Sequence, residues 1–550
     1  MMGMQLPDIN LDAISDPAAR QIIGHLLNVI ETLHAEVVQL HAENQQLRDE
    51  LARLKGGPGK PDVKPPTPPA PPHDHSSERE RHTPKPRQKG RKLGILVPTR
   101  TERCVVDRAT LPPDAIRHDT TEVIVQDLIL QPEIIRFGRE VWYLPSTGAT
   151  ITAPLPDGYH GEFGPHIQAL TLTLGHGANI SQPSLLTFFQ DAGIAIGKGT
   201  IARWLRDHRT SWRAEAQAIH QAGLASSDWQ ATDQTSTRVD GQNETCHVLG
   251  NPLFTVYQTR PGGTRQDVLA VLWGQEPLFR LNADALAWLD ATRIGRTLLT
   301  QLCATLPWDT DLSAADLTRH LDGAGVTLGP QQRQQVWDAL AVAAYHAQTA
   351  VPIVRRLLSD DAAVYHLLTD EHALCWIHDA RHYAKLTPVV PVHRDVLAAF
   401  RTDYWAFYRQ LVAYRTAPTE PERARLRARF DELFSRRTGY LALSERMAKT
   451  WANRELLLLV LDHPDLPLHN NDMELAARRR VRKRDVSFGP QSRAGAQAWD
   501  TFQTIIASAT KLGVRVYAYF LGRLRAPTTT LTLADHIRER TRPAACPHPT

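Results

Sequence analysis

Cysteine is scarce in this chain of 550 residues: there are five (Cys104, Cys246, Cys303, Cys375 and Cys546), widely scattered and with no Cys-x-x-Cys pair. That scatter argues against a disulfide framework and against a four-cysteine zinc site, and it fits a reducing cytoplasm. Long hydrophobic runs are missing too. Stretches such as 456–461 are far too short to cross a bilayer, and the N-terminus lacks the basic region and apolar core of a signal peptide. A soluble, cytoplasmic protein with no membrane partner is expected. Nor does one sign of charge dominate, since 63 Lys and Arg stand against 59 Asp and Glu for a net charge of +4. Any affinity for a polyanion must come from local basic patches.

What is present is strongly organised. Leu26, Leu33, Leu40, Leu47 and Leu54 recur at seven-residue intervals, and with these as d positions Ile30, Val37, Asn44 and Leu51 fall at a. β-Branched a residues with leucine at d favour a two-stranded parallel coiled coil, and one Asn at a fixes its register. The pattern predicts a dimerisation segment over 1–55, with Glu43 facing Arg48 and Glu50 facing Lys55 of the partner helix. A proline-rich basic linker follows over 56–92 and ends in Lys85, Arg87, Lys89, Arg91 and Lys92.

From 93 to 165 the composition turns to strands, with β-branched and aromatic runs at 121–126 and 139–143. Over 166–222 a helix from Pro183 to Ala192, a break at Gly193 and a second helix bearing Arg203, Arg206 and Arg209 outline a helix-turn-helix. A plain helical bundle reads equally well.

Further on, Asp233 lies in a strand-like stretch, and apolar runs at 246–249, 253–257 and 268–273 suggest adjacent strands. Near the C-terminus, Asn470, Asn471 and Glu474 lead into Arg478, Arg479, Arg480, Val481, Arg482, Lys483 and Arg484, where six of seven residues are basic. A carboxylate at the head of a cationic surface suits phosphoryl transfer on a nucleic acid when a metal ion lies between acid and phosphate. A solvated helix face is the bland alternative.

Four motifs in order give the chain a resemblance. Asp233 with Thr235, Asp360 with Tyr365, the run Cys375-Trp376-x-His378-x-x-Arg381, and Asn470-Asn471-x-x-Glu474 with its basic helix are similar to the insertion-sequence-66 family of bacterial transposases. Residues 486–489 and the helix at 504–509 extend the likeness, which covers roughly 90–525. The resemblance implies an α/β core with an RNase H-like mixed sheet spanning 223–525, helical insertions near 275–350 and 396–465, and a tail over 526–550. It implies an Asp-Asp-Glu triad of Asp233, Asp360 and Glu474 that would hold two magnesium or manganese ions, since these prefer oxygen ligands. His378, Arg381, Thr235, Asn470 and Asn471 would support the triad. Arg478, Arg479, Arg480, Arg482, Lys483, Arg484, Arg203 and Arg206 would contact DNA.

The implied activity is metal-dependent cleavage at element ends, then strand transfer of the 3′-hydroxyl into target DNA, with accessory proteins of the same element as further partners. Two other classes are a dimeric DNA-binding protein that has lost catalysis and an RNase H-like nuclease without strand transfer. Several positions depart from the family pattern. Gln234 stands for a Glu, His469 for an Asp and Asp361 for a Gly, which makes Asp361 a competitor of Asp360. Only Cys104 remains of the family's zinc-ribbon cysteines, so a metal-free remnant held by strand pairing and apolar packing is expected, and no zinc. His366, His372, Cys375, His378 and His382 cluster in sequence but are read as packing and phosphate contacts.

Overall fold

A computed structural model of the chain describes residues 9, 11–54, 97–117, 119, 121–159 and 161–542. The linker at 56–92 with its basic tract, the Lys55 partner of Glu50, and Cys546 lie outside these residues. Helix α1 (Pro17–Leu54) is continuous over 38 residues. Its first half is anchored to the protein. Leu27 is buried, and Asn28 donates to the Gly439 carbonyl (2.9 Å) and accepts from the Leu441 amide (2.8 Å). Glu31 accepts from the Val389 and Val390 amides and pairs with His393 at 3.2 Å. The heptad seam is not used in this docking: Leu26, Leu33, Val37, Leu40, Leu47 and Leu51 are all exposed.

Residues 97–152 depart from the expected β-rich module. Strands β1 (Val141–Leu144) and β2 (Ala149–Thr152) pair as one antiparallel hairpin, while 121–126 is not a strand. Val123, Ile129, Ile134 and Trp142 are exposed, so these side chains do not form the expected apolar core, although Phe137 and Tyr159 meet edge to face at 5.0 Å. β-Branched side chains favour a strand only where a neighbouring surface receives them.

Helices α2 (Pro165–Leu172), α3 (Gln182–Asp191) and α4 (Lys198–Leu224) follow. Ser181 caps α3 by accepting from the Ser184 amide, and Gly193 turns the chain at φ 80°. The pair has the helix-turn-helix outline, but α4 continues for 27 residues. Its Trp204, Trp212 and Ile219 are buried in the main hydrophobic cluster, together with Leu249, Phe254 and Val256. Residues 166–222 thus share a core with the central sheet.

That sheet holds β3 (Trp229–Val239), β4 (Gln242–Asn251), β5 (Phe254–Arg260), β6 (Arg356–Ser359) and β7 (Glu371–Leu374), in the order β5-β4-β3-β6-β7. The first three are antiparallel neighbours, and β6 and β7 join parallel. The run at 268–273 is not a strand. It lies in α5 (Arg265–Trp273), opened by a capping box of Thr264 and Asp267 and closed by Gly274 at φ 79°. Every residue from Asp267 to Trp273 is buried, which erases the one-sided periodicity that tells helix from strand.

Between β5 and β6 lie α5, α6 (Ala283–Ala291), α7 (Arg296–Thr305), α8 (Ala314–Gly323) and α9 (Pro330–Ala347). After β7 come α10 (Trp376–Ala384), α11 (Pro391–Thr416), α12 (Glu420–Ser435), α13 (Leu441–Ala452) and α14 (Arg454–Leu457), knit by Trp376, Phe400, Tyr404, Phe430 and Phe434. The chain then returns to the sheet with α15 (Asn471–Ser487), α16 (Arg493–Lys511), α17 (Val516–Arg525) and α18 (Leu533–Thr541).

Strand alternation sorts the faces. Trp229 and Ala231 of β3, Cys246 and Val248 of β4, Tyr257 of β5 and Leu358 of β6 cluster with Met473, Ala476 and Ala477 of α15. Asp233, two residues beyond Ala231, therefore belongs to the face that α15 covers. The β5 edge is covered by α16. Asp500, Thr504 and Ser508 accept from the amides of Thr259 (2.8 Å), Tyr257 (3.0 Å) and Thr255 (3.1 Å). Four helical residues rise about 6 Å and two strand residues about 6.8 Å, so a helix can satisfy every outward amide of an edge strand. The protein is thus mixed α/β and 56% helical, around a five-stranded mixed sheet. No described helix is long and apolar enough to cross a membrane.

Candidate active site

Asp233 sits in the middle of β3, opposite Val248. Its Oδ1 accepts from the Gln234 amide at 2.8 Å. Burial pushes its carboxyl up to about 7, and the charges of Glu474 and Asp360 add to the rise. The three acids expected to act together thus share one electrostatic neighbourhood. Asp360 follows the last residue of β6, the strand parallel to β3. Its Oδ1 accepts from the Ala362 amide at 3.2 Å. Asp361 turns elsewhere, to His366 (3.1 Å) and Asn453 (3.0 Å). Tyr365 is buried facing both aspartates; burial first, then the charges of Asp360 and Asp233, push its phenol well up.

Glu474 lies in the first turn of α15. Asn470 fixes that turn to the sheet by donating to the Thr232 carbonyl at 3.2 Å, next to Asp233, and its own carbonyl accepts from the Glu474 amide at 3.1 Å. Asn471, the first residue of α15, is buried beside it. Thr235 lies on β3 two residues past Asp233, opposite Cys246. From α10, Arg381 meets the carboxylate of Glu474 with both terminal nitrogens, at 2.8 and 2.9 Å. His378 approaches at 3.3 Å and Arg478 at 3.4 Å. Burial would raise the Glu474 carboxyl, but the hydrogen bonds and charge of Arg381, with His378 and Arg478, hold it below its ordinary value. Burial lowers the His378 imidazole. Its Nε2 lies between Arg381 Nη1 (2.9 Å) and Glu474 Oε1 (3.3 Å).

The donor set suits a hard divalent cation. Asp233 and Asp360 offer oxygens whose described hydrogen bonds come from backbone amides, and their mutual repulsion with Glu474 is a charge imbalance that a cation relieves. Among the described residues no three acidic, His or Cys groups are gathered as a ready metal cluster, and Glu474 is turned onto Arg381. The side chains fit the ion by type and neighbourhood, and Glu474 would have to leave Arg381 to join the aspartates in holding it.

The basic helix divides into two faces, which corrects the expectation that all its cations meet DNA. Arg480 is fully buried, ion-paired with Asp500 and placed over the rings of Tyr257 and Trp499. Lys483 is buried too, donating to the Gly175 carbonyl at 2.5 Å, and burial brings its ammonium down to about 7. Arg484 is half-buried and donates to the Ser236 carbonyl at 2.6 Å. Cations at 480 and 483, one helical turn apart, face α16 and the sheet, whereas Arg478, Arg479 and Arg482 are exposed. Arg203 and Arg206 are exposed on α4.

Two groups escaped the reading of the sequence. Asp500 anchors both Arg480 and the Thr259 edge amide, and nothing in its local sequence marks it. Asp379 is buried under the site, bound to Arg446, Thr450 (2.8 Å) and Tyr404 (3.1 Å). Its spacing of four from Cys375, toward the α11–α13 side of α10, was the available signal.

The class that the fold defines is a mixed α/β protein around a five-stranded mixed sheet. No family model matches the chain, and no solved structure matches it. A stretch of 309 residues, 55% of this chain, is 30% identical to the uncharacterized protein y4jO of Sinorhizobium fredii (strain NBRC 101917 / NGR234) and covers 94% of it. The chain belongs to the same family as that protein.

Proposed function

We propose that this protein is a DNA transposase of the insertion-sequence-66 type with an RNase H-like core. It would cleave DNA at the ends of a mobile element and join the freed 3′-hydroxyl to target DNA. The observation that supports the reading is that Asp233, on the central strand, lies within the charge influence of Asp360, at the end of its parallel neighbour, and of Glu474, on a returning helix. Two antiparallel strands on one side of the first strand and two parallel ones on the other support the RNase H-like assignment.

Asp233, Asp360 and Glu474 would hold magnesium or manganese, which supplies Lewis-acid activation of the attacking oxygen and stabilisation of the leaving one. Arg381 and His378 orient Glu474. The exposed Arg478, Arg479 and Arg482 hold the phosphate backbone and leave sequence choice to other surfaces. In the first step a water oxygen attacks in line, the P–O3′ bond breaks, and the 3′-oxygen leaves as a hydroxyl after taking up a proton. In the second, that hydroxyl attacks a target phosphodiester, loses its proton, and expels a new 3′-hydroxyl.

Labelled element ends incubated with protein and magnesium or manganese test this. Asp360→Ala is expected to abolish cleavage with DNA binding intact, while Asp361→Ala keeps cleavage. The opposite result would reassign the second acid. Joining of the labelled end to target DNA separates a transposase from a nuclease.

One observation favours a second reading, DNA binding without catalysis: both Glu474 oxygens are already held by Arg381. Metal-dependent cleavage by the unaltered protein excludes it.

A further inference from the structure

Helix α15 ends in an unusual way. Its C-terminal residue in the left-handed region is Phe488, at φ 57° and ψ 20°. Glycine is the usual occupant of that position, because a β-carbon there costs stability. Glycine does follow, at 489, with φ 86° and no room for a side chain: a β-carbon would lie 2.7 Å from the Arg238 carbonyl oxygen. The turn is pinned to the end of β3 on both sides. Arg484 donates to the Ser236 carbonyl (2.6 Å) and the Asp240 amide to the Pro490 carbonyl (3.1 Å). A strained turn, tied to β3 on both sides, thus presents Phe488, which is 85% exposed. No core contact offsets either the strain or the exposure.

The ring stands at the end of a defined row. Glu474, Arg478, Arg482 and Val486 succeed one another at intervals of four along α15, and the latter three are exposed. The row begins at the candidate carboxylates, carries two cations and finishes in an apolar tip of Val486 and Phe488. Fourteen helical residues rise about 21 Å, which is roughly six base steps along a strand.

We propose that Phe488 is a base-stacking residue for DNA whose backbone follows Arg478 and Arg482. The ring takes the face of a nucleobase, or wedges into a base step, roughly six nucleotides from the carboxylates. Aromatic rings stack on any base, so the contact grips the strand without reading its sequence. The strain has a physical sense here, because holding the ring out on a fixed turn removes the entropy cost of ordering it on binding. This inference rests on the DNA-processing reading above.

The test uses the full chain and duplexes carrying 2-aminopurine at successive positions. Unaltered protein should bind, and should change probe fluorescence at a confined set of positions. Phe488→Ala and Phe488→Gly should weaken binding about tenfold and abolish that change with an unaltered salt slope, while Phe488→Trp preserves both. Phe488→Gly should also raise the melting temperature, since it relieves the left-handed strain. A merely structural Phe488 predicts the reverse, a fall in melting temperature with the loss of binding. Equal binding and fluorescence by the Ala and Gly variants would overturn the inference alone. Failure of the unaltered protein to bind any of the duplexes would take down the DNA reading and this inference together.

Discussion

Arg381 illustrates how much one side chain decides. It neutralises Glu474, lies 2.9 Å from His378 Nε2, and sits within reach of the Asp233 charge. Arg381→Ala should cost about 1 kcal/mol at pH 7, a modest figure because the guanidinium is partly exposed and solvent screens the pair. Glu474 has a lowered pKa in the folded protein. Its stabilisation is therefore present above the unfolded carboxyl range and lost as pH falls through the folded value. Urea denaturation at pH 7 and near pH 3 should show the variant's deficit shrinking in acid; a deficit independent of pH would mean that Arg381 acts by packing alone. The identities of these residues could be read from sequence because the Cys-Trp-x-His-x-x-Arg and Asn-Asn-x-x-Glu runs are local patterns. Their partnership could not, since the 93 positions between Arg381 and Glu474 are bridged only by folding.

At the scale of the element, α15 is a case of composition misleading about exposure. Six cations in seven residues suggest a uniformly wet surface, yet Arg480 and Lys483 are interior. The acid that receives Arg480 lies at Asp500, on the next helix, and no property of the basic run announces it. Arg480 is itself fully buried and its removal leaves the partly buried Asp500 without its cation, so Arg480→Ala should destabilise by about 3 kcal/mol. Neutralising Arg478, Arg479 and Arg482 together should barely change stability but should flatten the dependence of log affinity on log salt by roughly 0.9 per lost duplex-phosphate contact. Thermal melts and binding isotherms at several salt concentrations measure both; an unchanged salt slope would make the outer face a solvated surface.

Lys483 adds a pH signature to the same helix. Its folded pKa, about 7, is below its unfolded value near 10.5, so the unfolded chain binds the extra proton and this term gains stability as pH rises through that window. The gain approaches about 1.4 kcal/mol per pH unit. Lys483→Met should remove that slope between pH 7 and 10 in denaturation series. Persistence of the slope would assign it to other groups. The strand at 268–273 failed for a related reason: a segment buried all round carries no periodicity, and only its caps, Thr264 with Asp267 and Gly274, betray a helix.

For the whole molecule, α1 is the element whose heptads could be read in advance and whose anchorage could not. Leucine spacing needs only the sequence, whereas Asn28 and Glu31 find partners more than 350 positions away. Deleting residues 1–55 should halve the mass in sedimentation if the exposed seam joins two copies. An unchanged mass would place self-association in another surface. Parts of the chain with no surface to receive them, such as 121–126, could not be foreseen by propensity, because a strand is a property of pairs.

The root of α1 is fastened to the loop before α11 and to the turn before α13, and the rest of its 38 residues extends beyond the body. A joint with hydrogen bonds on two sides does not swivel. Were two such helices to wind together, each body would inherit its orientation from its own root, and a twofold axis along the coil would govern both carboxylate sites. The two sites would then stand at a fixed separation related by that axis, with α1 serving as the caliper that sets the gap between them.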